Sequence, residues 1–450
     1  MPLLTTFALL ALACGGRQQT ETPSPTSPVP QSAASAKSPP RAQVDLGAVL
    51  GVNEAVAIPP MILMRDRPSP EQIGQELEKD ARLTQELGAH WVRTNSGGFP
   101  FLHHQHWQQN RRVAQAQADQ WVRTVQAHGL EPLMMVSPWP GTYTHRATDS
   151  YPPPDMAAYT AWVKEVVERY DGDGIDDMPG LKSGVHHWEV DNEPDLKNDG
   201  PPPQAKIKAP ENFCEPPQYA EVLVATSAAI READAQAVVL GGGFYRPQTE
   251  GGCDYMRAVF GQPGTVEAID ALSLHVYATD PDTRRLEKAL ANAKEVLPGK
   301  PIWITETNQP SVSDKKGEEY VSPKWQASMM VEMLGVSLRE GVQTFFWHTL
   351  ADAPPGKMKQ PGMKHHSFYE QPGGELVAKP IVGTWRRLAE RFEALGRVEV
   401  VPGEGSIRLG TDGPTLLWEG TASGTATDLV TGEVTTGKVT AGDGAVYWVE

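Results

Sequence analysis

The sequence predicts an α/β chain: a (β/α)8 barrel followed by a small antiparallel, β-sandwich-like unit. Three observations predict it. Eight short apolar runs of strand length recur along the chain, helical patterns separate most of them, and the texture changes to Gly-punctuated short runs near residue 397.

The eight runs are "LGAVLGVNEAV", "GAHWVRTNS", "LEPLMMVSP", "VHHWEVDNEP", "AVVLGGGFY", "IDALSLHVY", "PIWITETN" and "VQTFFWHTL". Between them, Pro70 to Leu87, Met156 to Arg169, Tyr219 to Glu232, Arg284 to Val296 and Lys324 to Arg339 carry apolar residues at three- and four-residue spacing, as amphipathic helices do. A last helical pattern, "KPIVGTWRRLAERFEALG", follows the eighth run. The barrel is expected over 45–396. Residues 397–450, with short alternating runs and Gly-rich turns, form the β unit, and a strand from before residue 47 could join it.

The N-terminal segment reads differently. The apolar run Leu3 to Ala13 is too short to span a bilayer as a helix and has the length of a signal-peptide core. Residues 1–14 end in Ala13-Cys14, which resembles a lipoprotein cleavage box that would lipidate Cys14, although no Lys or Arg precedes the run and Ala11 stands where Leu is usual. An ordinary secretory signal is the other reading. Residues 15–44, rich in Pro, Ser, Thr and Gln, hold too little apolar surface to fold and suit a tether. Both readings place the chain outside the cytoplasm, on the cell envelope or secreted. The other two cysteines, Cys214 and Cys253, form an even pair, which in an exported chain predicts a disulfide between the loops after strands four and five.

Charge narrows the partners. With 56 acidic and 40 basic residues the net charge is −16, which argues against nucleic acid, and leaves a lipid anchor as the one expected membrane attachment. Trp, with 12 copies, outnumbers Phe, with 10; flat rings of that kind suit sugar platforms as well as cores.

In a (β/α)8 barrel the chemistry sits at the C-terminal ends of the strands. Polar residues gather there in seven of the eight runs: Asn53, Arg93, Trp139, Asn192-Glu193, His275 and Tyr277, Glu306, and Trp347-His348. Glu193 ends strand four and Glu306 ends strand seven, positions that face each other across the barrel mouth. Two converging carboxyl groups are what glycosidic cleavage needs, one to protonate the departing oxygen and one to attack or to activate water.

These residues resemble clan A of the glycoside hydrolases over residues 45 to about 395, and "WEVDNEPD" with "PIWITET" is most similar to families 39 and 5. The resemblance implies Glu193 as acid/base and Glu306 as nucleophile of a retaining enzyme. It implies Asn192 on the sugar 2-hydroxyl, Tyr277 orienting Glu306, His275 lining the sugar site, Arg93 keeping the nucleophile charged, and Trp347 under the substrate ring. Asn53 and Trp139 join them as substrate-side candidates. The expected substrate is an extracellular polysaccharide or oligosaccharide, with endo action favoured over exo by two long loops, 139–154 and 195–217. No cofactor or metal is expected: His103, His104 and His106 in "FLHHQHW" lack ligand spacing and read as a loop that is exposed or touches sugar.

One departure stands out. Asp191 precedes the Asn-Glu pair where the clan usually has an apolar residue, and simple alternation would aim Glu189, Asp191 and Glu193 inward together, unless alternation breaks at the strand end. It motivates a second function, a non-catalytic carbohydrate-binding surface protein on a degenerate barrel.

Overall fold

The computed structural model describes residues 43–56, 69–94, 102–138, 152–196, 214–277, 283–309, 311, 322–352, 366–371 and 374–450. The leader, Cys14, the tether up to residue 42 and Trp139 lie outside them.

A parallel barrel closes from eight strands: β2 (Leu50–Asn53), β3 (Trp91–Arg93), β4 (Glu131–Val136), β5 (His187–Val190), β6 (Val238–Tyr245), β7 (Ala271–Tyr277), β8 (Ile302–Asn308) and β9 (Thr344–His348). Closure is direct, since β2 pairs in parallel with both β3 and β9. Among the described residues the surrounding helices are α1 (Pro70–Glu86), α2 (His104–Ala127), α3 (Met156–Glu168), α4 (Pro216–Ala233), α5 (Glu250–Phe260), the single turn α6 (Thr265–Ala268), α7 (Arg284–Val296), α8 (Pro323–Arg339) and α9 (Pro380–Leu395).

Local chemistry explains the helix ends. Ser69 and Gln72 form a reciprocal capping box and Pro70 takes the first helical position, so α1 starts abruptly. Its buried residues Ile73, Leu77, Ala81 and Thr84 follow helical spacing and face the strands. Helix α4 begins at Pro216, ahead of the expected Tyr219, because the Glu215 backbone N–H donates to the Gln218 side chain. Helix α2 starts at His104, so "HHQHW" is largely a helical first turn with His103, His104 and Trp107 buried, which corrects the exposed-loop expectation.

Strand β1 (Gln43–Asp45) pairs antiparallel with β12 (Arg397–Gly403), which puts Gln43 and Val44 in a sheet rather than in the tether. Strands β10 (Tyr369–Glu370) and β11 (Val377–Ala378) form a two-stranded pair of their own. With β13 (Ser406–Leu409), β14 (Thr415–Leu417), β15 (Gly420–Asp428), β16 (Val434–Ala441) and β17 (Tyr447–Val449), strands β1 and β12 make a seven-stranded sheet ordered β1-β12-β13-β14-β17-β15-β16.

Alternation along the barrel strands sorts side chains into an outer core under the helices and an inner column. At the N-terminal end the column is an apolar plug of Trp91, Leu133, Leu240, Ala271, Trp303 and Phe346. Trp91 and Trp303 meet edge-on at 5.1 Å with His187 packed against both at 4.7 and 5.6 Å. Above the plug the column turns polar: Glu189, Ser273 and Thr305, then the groups of the site.

Two irregularities re-aim that upper column. The β8–β9 register shifts between Ile304 and Thr307, a bulge that lets Thr305 and Glu306, though consecutive, both contact interior groups. The β6–β7 register shifts between Gly241 and Phe244, and Gly242 and Gly243 have φ of 67° and 47°. A side chain at Gly243 would meet the His275 ring at 2.6 Å, so glycine there is what makes room for that imidazole.

Candidate active site

Arg93 is the hub. Its guanidinium, fully buried, donates from Nε to Glu189 Oε2 at 2.5 Å, from Nη1 to Glu306 Oε1 at 2.8 Å and Asn53 Oδ1 at 3.2 Å, and from Nη2 to Asn192 Oδ1 at 2.7 Å. Buried carboxylates survive only with such partners. Glu189 completes its shell with the hydroxyls of Ser273 and Thr305, which marks it as a structural anion beneath the site.

The two predicted catalytic carboxylates converge. An oxygen of Glu193 and one of Glu306 lie within 4.8 Å of each other, with His275 Nδ1 between them at 2.8 Å from Glu193 Oε1 and 3.5 Å from Glu306 Oε2. Tyr277 donates its hydroxyl to Glu306 Oε2. Glu193 sits just beyond β5 with φ of 51°, and its backbone N–H donates to Gly242 O at 3.0 Å, which ties the Asn-Glu-Pro turn to β6.

Their environments push the two protons apart. Burial, then the charges of Glu306 and Asp195, drive the Glu193 carboxyl well above the usual carboxylate range. Burial also pulls Glu306 upward, but the charges of His275, Arg93 and His348 and the Tyr277 hydroxyl outweigh it and hold the carboxyl at about 2. Arg93 is the permanent cation among them, because burial presses His275 down to about 3 and leaves its imidazole neutral at neutral pH. The two environments thus favour the protonated form of Glu193 and the ionised form of Glu306, the division of protons that an acid and a nucleophile require.

Several expectations need correcting. Trp347 is fully buried, points into the outer core and donates Nε1–H to His366 O at 3.0 Å, so it cannot lie under a sugar ring. Alternation gives the inner position to His348, whose Nδ1 is 3.1 Å from Asn53 Nδ2. Asn53 and His275 are likewise fully buried: the first braces Arg93 and His348, and the second stands behind the two carboxylates rather than against the sugar. Asn192 is partly exposed, and its amide oxygen is held by Arg93.

Asp191 does not join an inward row of acids. With φ of 68° it leaves strand geometry, and its Oδ1 accepts from Ser137 Oγ at 3.0 Å and from the Asn192 backbone N–H at 2.8 Å. No disulfide joins Cys214 and Cys253; both are thiols. Cys214 Sγ lies 3.3 Å from the Tyr255 hydroxyl and 3.5 Å from Pro194 O, and Cys253, two positions before Tyr255 on α5, is about 200° away around the helix.

Sequence reasoning missed two acids. Glu54 follows Asn53 and, by alternation, should face away; a left-handed φ of 51° breaks the alternation, and its carboxyl, which burial pushes up, feels the charges of His348, Glu306 and Arg93. Asp195 accepts the Tyr245 N–H at 2.7 Å, and burial pushes its carboxyl to about 8. No pattern of spacing marks either one. Among the described residues, two clusters could offer three ligand atoms to a metal: Glu193, His275 and Glu306, already accounted for as the carboxylate pair and its imidazole, and the loop Asp171, Asp173 and Asp177. The loop carboxylates are occupied by backbone N–H groups of Gly172, Asp173, Gly174 and Ile175.

Comparisons with known proteins agree with this geometry. The family model described as glycosyl hydrolase catalytic core matches residues 156–366, which include Glu193, His275, Tyr277 and Glu306. No curated protein matches the sequence. Among solved structures, a glucosidase from Croceicoccus marinus is similar at 14% identity and a TM-score of 0.54, covering 89% of this chain and 81% of its own. A family 51 α-L-arabinofuranosidase from Bifidobacterium longum aligns at 14% identity and 0.54, over 92% and 97%. A monomeric β-xylosidase from Caulobacter crescentus CB15 aligns at 18% identity and 0.52, over 84% and 76%. At these identities the structures speak for the barrel fold; the catalytic-core match speaks for the activity. Residues 156–366 thus match a glycosyl hydrolase catalytic core, carried on a (β/α)8 barrel with the two carboxylates at its mouth, which supports glycosidase activity.

Proposed function

We propose that the chain is a retaining glycosidase that cleaves a polysaccharide or oligosaccharide outside the cytoplasm by double displacement. The observation that carries the mechanism is the short approach of Glu193 and Glu306, oxygens within 4.8 Å. Retaining pairs sit about 5–5.5 Å apart, whereas an inverting pair needs ~6.5–9.5 Å to admit a water.

In the first step a Glu306 oxygen attacks the anomeric carbon as the glycosidic C–O bond breaks, and Glu193 gives its proton to the leaving oxygen. A glycosyl ester on Glu306 results. In the second, Glu193, now ionised, takes a proton from water as that water attacks the same carbon and frees Glu306. Arg93 and Tyr277 keep Glu306 anionic between turnovers. Export is supported by the apolar Leu3–Ala13 run, with Cys14 as the candidate lipidation site. The long loops favour endo over exo action.

Hydrolysis of xylan, mannan, β-glucan and arabinan, followed by NMR of the first-formed anomer, tests the reading. Retention of configuration is expected. Inversion would replace the double displacement with a single one, and binding without turnover across the panel would favour a carbohydrate-binding protein.

A further inference from the structure

We propose that Glu54 is a substrate-contacting residue of the sugar subsite beside Glu306, which accepts hydrogen bonds from hydroxyls of a neutral sugar and refuses an anionic one. The proposal rests on the glycosidase reading above and names the substrate class of that site.

Glu54 stands at the mouth of the barrel, one residue past β2, in a left-handed conformation that non-glycine residues rarely adopt. Thr349 Oγ1 donates to its backbone oxygen at 3.0 Å and fixes that turn against the loop leaving β9. Its carboxylate is close enough to feel the charges of Glu306, Arg93 and His348, and to act in turn on Glu193 and Tyr277. Glu306 is the nucleophile and the other four line it, so a carboxylate that feels all of them belongs to the same subsite.

What it lacks is a partner. Arg93, the fully buried cation of the site, has Nε, Nη1 and Nη2 directed at Glu189, Glu306, Asn53 and Asn192. His348 Nδ1 is turned to Asn53. Among the described residues no side chain hydrogen-bonds the Glu54 carboxylate, yet the residue remains partly exposed. A half-desolvated carboxylate with open lone pairs is costly until donors arrive. A neighbouring pair of sugar hydroxyls supplies two donors in the spacing a carboxylate accepts.

Charge then sets the class. Glu306, ionised beside Glu54, and Glu189 beneath it already outnumber Arg93, the one fully buried cation of the subsite, so a uronate or sulfated ring there would meet like charge in a low-dielectric pocket. With Trp347 turned into the outer core, a ring platform on β9 is missing, and hydrogen bonding from Glu54 takes over the task of orienting the sugar.

The test uses the full chain and the neutral aryl glycoside that it turns over fastest, alongside the 2-, 3- and 4-deoxy forms of that glycoside. Glu54→Gln and Glu54→Ala should each lower kcat/KM by ~10–100-fold with unchanged thermal unfolding. At least one deoxy substrate should be penalised on the natural enzyme and not on Glu54→Ala, because the lost hydroxyl and the lost carboxylate are the same contact. Glu54→Gln should also narrow the preference for the neutral glycoside over the matching aryl uronide. Wild-type kcat/KM in Glu54→Ala, or deoxy penalties equal in both proteins, would overturn the assignment. Glu306→Gln serves as the control: if it keeps full turnover the glycosidase reading itself fails, and if it is inactive while Glu54 variants are not, only the present inference does.

Discussion

The two ends of the barrel are built from the same eight strands and hold opposite chemistry. At the N-terminal end the inner column is an apolar cluster of Trp91, Leu133, Leu240, Ala271, Trp303 and Phe346. At the C-terminal end it holds Glu189, Glu193 and Glu306 around Arg93, within hydrogen-bonding distance of amides, hydroxyls and an imidazole. The difference teaches how a protein interior tolerates charge. Burying apolar surface needs only shape, whereas each buried carboxylate needs named donors, and here one guanidinium serves two carboxylates and two amides at once. Position along the strand, rather than residue type alone, decides which regime a side chain enters.

The comparison can be broken most sharply at the top. Glu306→Gln and Glu193→Gln should each cost on the order of 10³-fold or more in kcat with the melting temperature nearly unchanged. In the natural enzyme kcat/KM should rise as Glu306, held down to about 2, loses its proton, and should fall as Glu193, pushed well above the usual carboxylate range, loses its own. The active form thus occupies the window between those two titrations, and Glu193→Gln should erase the alkaline limb. A limb that persists unchanged in that variant would mean another group is the acid.

Next is the hub between the regimes. Arg93→Met leaves Glu189 and Glu306 buried without their cation, and should cost ~3–5 kcal/mol of unfolding free energy. It should also move the acid limb upward in pH, since the charge holding Glu306 down is gone. Chemical denaturation and a pH profile measure both, and a stable variant with an unmoved limb would show that the hydroxyls and imidazoles suffice. At the bottom, Trp303→Ala should lower stability by ~3 kcal/mol through lost packing while leaving both pH limbs in place. Shifted limbs in that variant would show that the plug and the site are coupled.

The architecture and the pair of converging carboxylates were legible in the chain's own pattern. Strand-length apolar runs alternating with helical spacing leave little besides a parallel barrel, and a carboxylate at the end of the fourth and of the seventh run meets across its mouth by topology alone. What lies at the strand ends was decided by tertiary structure. The period-two rule assigns a face only while the backbone stays extended, and at Asp191, Glu193 and Glu54 it does not. The bulge in β8 lets Thr305 and Glu306 both contact interior groups, and the register of β9 hands the inner position to His348 and turns Trp347 outward, none of which local spacing encodes. The unjoined cysteines follow the same logic: an even count says that a bridge is available, but the turn of α5 that faces Cys214 carries Tyr255, not Cys253. Side-chain pattern is a local property of a regular backbone, whereas the site is made where the backbone stops being regular and partners come from strands far apart in the chain.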